Sequence, residues 1–328
     1  MPETSTKILI TGATGFVGGR LLRALSGGKF SIRCLVRSAA KFRRSYPAVS
    51  GAELFEGDLL TGENLERALQ GVDAAFYLVH SMGGGTLFDA EKFAERDRQA
   101  ARNFVTAADH AGVPRIIYLG GLGEVGDNLS QHLASRQEVA EILRAGNTKA
   151  TILRAANIIG AGGAPFEMLR HLVERLPVLL APRWVDTRCQ PIDIGDVVSY
   201  LSGCIGQPAT AGREFDIGGP NIITYREMMN IYARVRNLKR VIISVPLMTT
   251  HLSSLWIAML TPVPSGVVVP LLEGLRNEVI CRENNIRDLI PIRLTPLEVS
   301  ICKALQEVSG GPGKLLSQQS CFLSRRYD

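Results

Sequence analysis

Short runs of mostly apolar residues recur through the first half of the chain, separated by glycine-rich or polar stretches. They are Ile8-Leu9-Ile10, Ser31 to Val36, Ala52 to Glu56, Ala74 to Val79, Arg115 to Leu119 and Ala150 to Arg154. The run from Ala74 to Val79 is continuously apolar, as expected of a strand covered on both faces. Between the runs the apolar positions fall at helical spacing. Leu21-Leu22-Arg23-Ala24-Leu25 opens this series, a polar helix is expected from about Glu63 to Leu69, and a long one from about Asp89 to His110 sets Phe93, Ala100, Ala101, Phe104, Val105 and Ala108 among charges. Strand and helix alternate six times, which predicts an α/β fold built on a doubly wound parallel sheet.

The second half reads differently. A helix is expected from Phe166 to Leu176, short strands at Val178-Leu179-Leu180 and Gln190-Pro191-Ile192, a helix opening at Ile194, a strand and turn from Glu214 to Gly219, and a further helix capped by Thr224. The expected division is a main domain over 1–165, its sheet completed by 190–218, and a smaller, mostly helical lid over 166–308 interleaved with it. A flexible tail over 309–328 follows. The apolar segment from Val245 to Leu275 is broken by His251, by Ser and Thr residues and by Pro262 and Pro264, which is too often for a membrane span. It suits a pocket wall, ordinary lid packing, or a peripheral contact with a membrane or partner.

The chemistry begins at Thr11-Gly12-Ala13-Thr14-Gly15-Phe16-Val17-Gly18, between the first strand and the first helix. There, backbone N–H groups and the positive end of a helix dipole converge where a pyrophosphate can sit. By analogy with the dinucleotide fingerprint, Gly12 allows the tight turn, Gly15 lets the diphosphate approach, and Gly18 lets the helix pack closely. Arg37 stands immediately after the second strand, with Lys41, Arg43 and Arg44 behind it, where an NAD site would carry a carboxylate. A guanidinium there suits a 2′-phosphate, so NADP(H) is expected over NAD(H), with Arg43 and Arg44 also readable as a solvated helix face. After the third strand, Asp58 and Leu59 are placed either to bond and sandwich an adenine or, for Asp58, to cap a turn. The fourth strand runs into His80-Ser81-Met82-Gly83-Gly84-Gly85, a polar loop at the same sheet edge.

Composition narrows the field. The chain has 328 residues, 46% of them hydrophobic, a formal charge of +6, and no dense basic run interleaved with aromatics, so nucleic-acid binding is not expected. Six scattered cysteines, with no Cys-x-x-Cys and no histidine cluster, argue against a metal site and a disulfide framework. The N-terminus carries no basic-apolar-small signal, and a cytoplasmic location is the expectation.

Thr11 to Gly18, Gly57-Asp58-Leu59, and Leu153-Arg154 with Asn157 and Gly160 together resemble the atypical and extended short-chain dehydrogenase/reductase superfamily. Tyr77 to Met82, His132-Leu133-x-Ser135-Arg136-x-Glu138-Val139 and Pro182-Arg183-Trp184 are similar to its atypical NAD(P)H-binding branch, related to NmrA-like proteins and to the complex I accessory subunit of this fold. The resemblance extends to about residue 308 and implies a Rossmann fold. It also implies a coenzyme held by Gly12, Thr14, Gly15, Phe16, Val17, Gly18, Arg37, Asp58, Leu59, Val79, His80, Ser81, Leu119, Gly120, Arg136 and Asn157. Arg183 and Trp184 would belong to the substrate pocket.

One departure from the superfamily bears on catalysis. Its reductases use a Tyr-x-x-x-Lys pair, and Tyr46, Tyr77, Tyr118, Tyr200, Tyr225 and Tyr232 all lack a lysine four residues on. His132 and Arg136 stand at the equivalent place on one helical face. They read either as a general acid with a ribose or phosphate holder, or as structural residues that contact the coenzyme. His80 is open in the same way, as a loop hydrogen-bonder near the nicotinamide or as a passive lining residue. Two functions follow: reductase of a moderately apolar carbonyl compound, or a non-catalytic NADP(H)-binding redox sensor or accessory factor that engages a protein partner.

Overall fold

The computed structural model describes residues 5–47, 51–80, 90–123, 131–245, 272 and 274–310. In chain order the first half comprises β1 (Lys7–Thr11), α1 (Phe16–Leu25), β2 (Ser31–Val36), α2 (Ala39–Ser45), β3 (Glu53–Glu56) and α3 (Leu65–Leu69). It continues with β4 (Ala74–Tyr77), α4 (Ala90–His110), β5 (Arg115–Gly121), α5 (Gln131–Ala145) and β6 (Lys149–Ala155). Then come β7 (Ile158–Ile159), α6 (Ala164–Arg175), β8 (Val178–Ala181), β9 (Arg188–Cys189), β10 (Ile192–Asp193), α7 (Ile194–Gly206) and β11 (Glu214–Ile217). The last elements are β12 (Ile223–Thr224), α8 (Tyr225–Val235), β13 (Val241–Ser244), α9 (Ile286–Leu289) and α10 (Leu297–Val308).

The main sheet has seven strands in the order β11-β6-β5-β4-β1-β2-β3, and every pairing in it is parallel. The order reverses between β1 and β4, because the chain builds outward through β2 and β3 and then crosses back. Such a switch point opens a crevice at the carboxyl ends of the two strands. Successive side chains of a strand face opposite sides. Ile8, Ile10, Phe76 and Ile117 accordingly pack with Leu21 and Leu22 of α1 and Val197 and Leu201 of α7. Leu9, Ala75, Ile116 and Tyr118 pack on the other side with Ala101 and Phe104 of α4 and Leu143 of α5. A separate apolar cluster joins α6, α8 and α10 beyond the carboxyl edge of the sheet, where Phe166, Leu169, Tyr232 and Ile301 are buried.

Two expected boundaries move for identifiable reasons. The helix anticipated at Glu63 begins at Leu65, because Asn64 stands in the left-handed region with φ 58°. The strand anticipated over Gln190-Pro191-Ile192 is divided into β9 and β10. Gln190 sits between them, its amide donating to Val279 O at 2.9 Å, and proline has no N–H for a ladder. Thr224 caps α8 in a full capping box with Glu227. Among the described residues no helix is long and apolar enough to cross a membrane, and no group of three or more His, Cys, Asp or Glu residues is placed to hold a metal ion. Ser81, the apolar segment over 246–271 and the tail from residue 311 lie outside the described residues, as does the side chain of His132.

Candidate functional site

The glycine turn caps the switch point. Gly12 has φ +70°, and a Cβ there would stand 2.5 Å from Leu78 O, so the turn runs directly over the end of β4. The Gly15 amide closes the turn on Gly12 O at 2.9 Å, and Thr11 Oγ1 donates to Phe76 O at 2.9 Å while accepting from the Leu78 amide at 3.2 Å. Thr11 thus clamps β1 to β4 and was missed as a site residue, although a polar residue ending an apolar strand is its signal. A Cβ on Gly18 would lie 2.2 Å from Gly12 O, so only glycine lets α1 seat against the turn. A Cβ on Gly15 would meet just Gly12 O, at 3.1 Å, and leaves the outer side of the loop clear. Thr14 and Gly15 are exposed, and Gly15 precedes α1 without any side-chain cap. Bare amides at an open helix start fit a pyrophosphate.

The other expected coenzyme residues are distributed around this turn. Arg37 follows β2, is exposed, and has no hydrogen-bond partner among the described residues, while Arg43 and Arg44 lie on the exposed face of α2. Asp58 Oδ1 accepts the Leu60 amide at 2.8 Å and so caps its own turn, and Leu59 is buried at 8% exposure in the cluster under α3 and α4. Val79 Cγ2 stands 3.4 Å from where a Cβ of Gly12 would be. Leu119 and Gly120 lie near the end of β5 and line the same cavity as the turn. The Arg136 guanidinium donates to Leu119 O and lies over the Tyr118 ring, 5.0 Å from its centroid.

A cavity of about 520 Å³ extends from Gly15, Phe16, Val17 and Gly18 past His80, Leu119, Gly120 and Arg136 into the cluster beyond the sheet. Its far wall is Met168, Leu169 and Leu172 of α6 with Met228 and Met229 of α8. Unbranched thioethers fill irregular apolar space and adapt to what enters it. Three polar groups interrupt this wall. Asn157 Nδ2 donates to Tyr225 Oη at 2.9 Å, and Trp184 packs edge-on against Tyr225 at 6.1 Å. Trp184 Nε1 is buried and has no acceptor among the described residues. Arg183, expected beside Trp184 in the pocket, is instead exposed and outside the lining. The 3-10 turn Arg183–Asp186 directs Trp184 and Val185 inward and Arg183 outward.

His80 lines the same cavity, and its Nδ1 is 2.7 Å from Oδ2 of Asp97, a carboxylate buried at 4% exposure on α4. Burial pushes the His80 imidazole below its usual proton affinity, with Arg136 adding to that effect and the Asp97 hydrogen bond opposing it. Burial raises the phenols of Tyr77 and Tyr118, the latter to about 12. Asp97 was not singled out from the sequence. Its signal was a carboxylate on the apolar helix face formed by Phe93, Ala100, Ala101 and Phe104.

A family model described as NAD(P)H-binding matches residues 12–163. The chain is 30% identical over 242 residues to a ceramide reductase of Caulobacter vibrioides, with 73% of each chain covered. It is 24% identical over 326 residues to the mitochondrial NADH dehydrogenase [ubiquinone] 1 alpha subcomplex subunit 9 of Arabidopsis thaliana, covering 92% of this chain and 78% of that one. The fold matches a nucleoside-diphosphate-sugar epimerase from Staphylococcus aureus with TM-score 0.70 at 18% identity, over 90% of this chain and 99% of the other. With the glycine turn at the switch point and a relative matched over most of both lengths, the chain belongs to the NAD(P)H-binding, NmrA-like and complex I subunit-like group of the extended short-chain dehydrogenase/reductase superfamily.

Proposed function

We propose that this protein is an NADP(H)-dependent reductase of a moderately apolar carbonyl compound. The observation that carries the reading is the continuity of the cavity, which has the glycine turn at one end and a methionine and leucine wall at the other. A reacting carbonyl placed beside the sheet edge would leave its alkyl portion against α6 and α8, away from water. Residues 1–165 with 190–218 would hold the coenzyme, and 166–308 would enclose the substrate. Gly12, Thr14, Gly15 and the start of α1 would receive the diphosphate. Arg37, exposed and without a competing partner among the described residues, suits the 2′-phosphate that distinguishes NADP(H). The coenzyme, when bound, supplies a hydride. The chain's own part is to orient the carbonyl, exclude water with the apolar wall, and provide a proton. The relative named ceramide reductase supports a substrate with long apolar portions.

The test is to mix the purified protein with NADPH and straight-chain aldehydes and ketones of increasing length, and to follow loss of reduced coenzyme. Turnover that improves with chain length is expected. Tight NADPH binding with no turnover on any carbonyl would overturn the reading in favour of a non-catalytic accessory role. That second reading is favoured by the absent Tyr-x-x-x-Lys pair and by the likeness to a complex I subunit over 92% of the chain.

A further inference from the structure

Asp97 is costly where it stands. It occupies the face of α4 that otherwise buries Ala100, Ala101, Phe104 and Ala108, and a carboxylate removed from water persists only with partners. Its Oδ2 is 2.7 Å from His80 Nδ1 and 3.5 Å from Ser135 Oγ. With an ionised carboxylate accepting, the neutral His80 ring carries its proton on Nδ1, and Nε2 is the nitrogen that gains or loses the second one. His80 follows Leu78 and Val79 beyond the end of β4 and lines the cavity with Leu119 and Gly120, at the carboxyl edge of the sheet. Among the described residues, the two phenols next to the pair are poor proton sources. Tyr77 and Tyr118 are almost fully buried, and the Tyr118 hydroxyl is committed to Arg136 O at 3.1 Å.

We propose that His80 is the catalytic residue that exchanges a proton with the substrate oxygen, and that Asp97 is the positioning residue that fixes its tautomer and ring orientation. This deepens the reductase reading and rests on it. In the reductive direction the carbonyl carbon accepts a hydride from the reduced coenzyme, the C=O π pair moves onto oxygen, and that oxygen takes the proton from Nε2 of the imidazolium. The ring left behind is neutral, with Nδ1–H still on Asp97, and it regains a proton from water. The alcohol and the oxidised coenzyme balance the step. Among the described residues, the charged and titratable groups facing the pair include Arg136 from α5 and the phenols of Tyr77 and Tyr118 from β4 and β5. The arrangement assigns to a carboxylate-backed imidazole the role that the superfamily gives to tyrosine.

Three measurements on the full chain test the assignment. The first compares wild type with His80→Gln on whichever carbonyl the panel finds active, where a loss of about 100-fold or more in turnover is expected. Turnover is compared at saturating NADPH, with calorimetry supplying the coenzyme affinity of each variant, because His80 lines the cavity that would also hold the coenzyme and only a loss in kcat reports on the proton. The second is the pH profile of reduction by Asp97→Asn, whose alkaline limb is expected to move to lower pH, because the group that raises the affinity of His80 for a proton is gone. The third does not depend on turnover. Nitrogen-labelled histidine NMR on wild type is expected to place the proton of neutral His80 on Nδ1, and on Asp97→Asn to show redistribution toward Nε2. If wild type turns over and His80→Gln does so equally, the assignment fails while the reductase reading stands. A wild-type proton on Nε2 overturns the assignment too, and no turnover on any carbonyl overturns both.

Discussion

Asp216 of β11 lies directly opposite Arg154 of β6 in the parallel ladder, and Arg154 Nε donates to Asp216 Oδ1 at 2.7 Å. Asp216 is 3% exposed, and its Oδ2 accepts the Arg282 amide at 2.9 Å. One carboxylate therefore fastens the last strand of the sheet to β6 and also tethers the segment that follows Val279 in the cavity wall. Removing it leaves Arg154, itself partly exposed, with Glu214 as its remaining carboxylate partner at 2.9 Å and leaves the Arg282 amide without its acceptor. Asp216→Ala is expected to destabilise the protein by about 1.5 to 3 kcal/mol. Urea unfolding checks this, read as a lower midpoint at unchanged slope, and a loss below about 1 kcal/mol would mean that the pair is not holding the sheet edge.

The glycine turn makes a sharper prediction, because its residues differ in the space behind them. Gly18→Ala places a methyl 2.2 Å from Gly12 O, a contact that only backbone movement relieves. A loss of about 1 to 3 kcal/mol in stability is expected from such overpacking. Coenzyme affinity should weaken as well, since the displaced atoms belong to the turn that holds the diphosphate. Gly28→Ala is the control, its nearest atom being Leu25 O at 3.4 Å, and it should change stability by less than about 0.5 kcal/mol. Thermal melts with and without NADPH distinguish the two variants.

Coenzyme choice is expected to rest on Arg37. A charge-assisted contact to a phosphate contributes about 1.5 to 3 kcal/mol, so Arg37→Ala should lower the ratio of NADPH to NADH affinity by about 10-fold to 100-fold. Affinity for NADH itself should change little. Calorimetry with both coenzymes decides, and an unchanged ratio removes the 2′-phosphate assignment.

Filling the apolar end of the cavity should separate its two halves. Met229 stands on α8 in the wall away from the glycine turn, so Met229→Trp is expected to raise KM for long-chain carbonyls by about 10-fold or more while NADPH binding is kept, as pocket discrimination by a few carbon atoms commonly does. Equal loss of coenzyme binding would show that the two ends are not separate subsites.

The proton affinity of His80 fixes the direction of two pH effects. Burial holds its imidazole below the ordinary 6.5, so the protonated form that reduction needs appears only as pH falls through that lowered value. The reductive rate should rise toward acid pH and the reverse oxidation toward alkaline pH. Stability should move the opposite way from reduction. Between the lowered value and 6.5 the unfolded chain binds more protons than the native one, so stability present above 6.5 is lost as pH falls through the native value. Denaturant midpoints of wild type and His80→Gln across that window check the sign.

Much of this architecture was readable along the chain, because each feature is local. Ile8-Leu9-Ile10 followed by Gly12, Gly15 and Gly18 specifies a strand, a turn needing positive φ and a closely packed helix within a dozen residues, and Thr224 with Glu227 specifies a helix start within four. Alternating runs likewise announced a parallel sheet, since a strand covered on both faces has no polar side to show. What folding alone decided are the meetings of distant residues. No periodicity links Asp97 to His80 across 17 positions or Arg154 to Asp216 across 62, because each pairing depends on which strands become neighbours and which helix crosses them. The cavity is of the same kind: Met168 and Met229 each read as ordinary core residues, and they enclose a site with Trp184 because α6 and α8 pack over the sheet edge that carries the glycine turn. Apolar pattern reports whether a position leaves water, whereas the identity of what it meets there is set by topology.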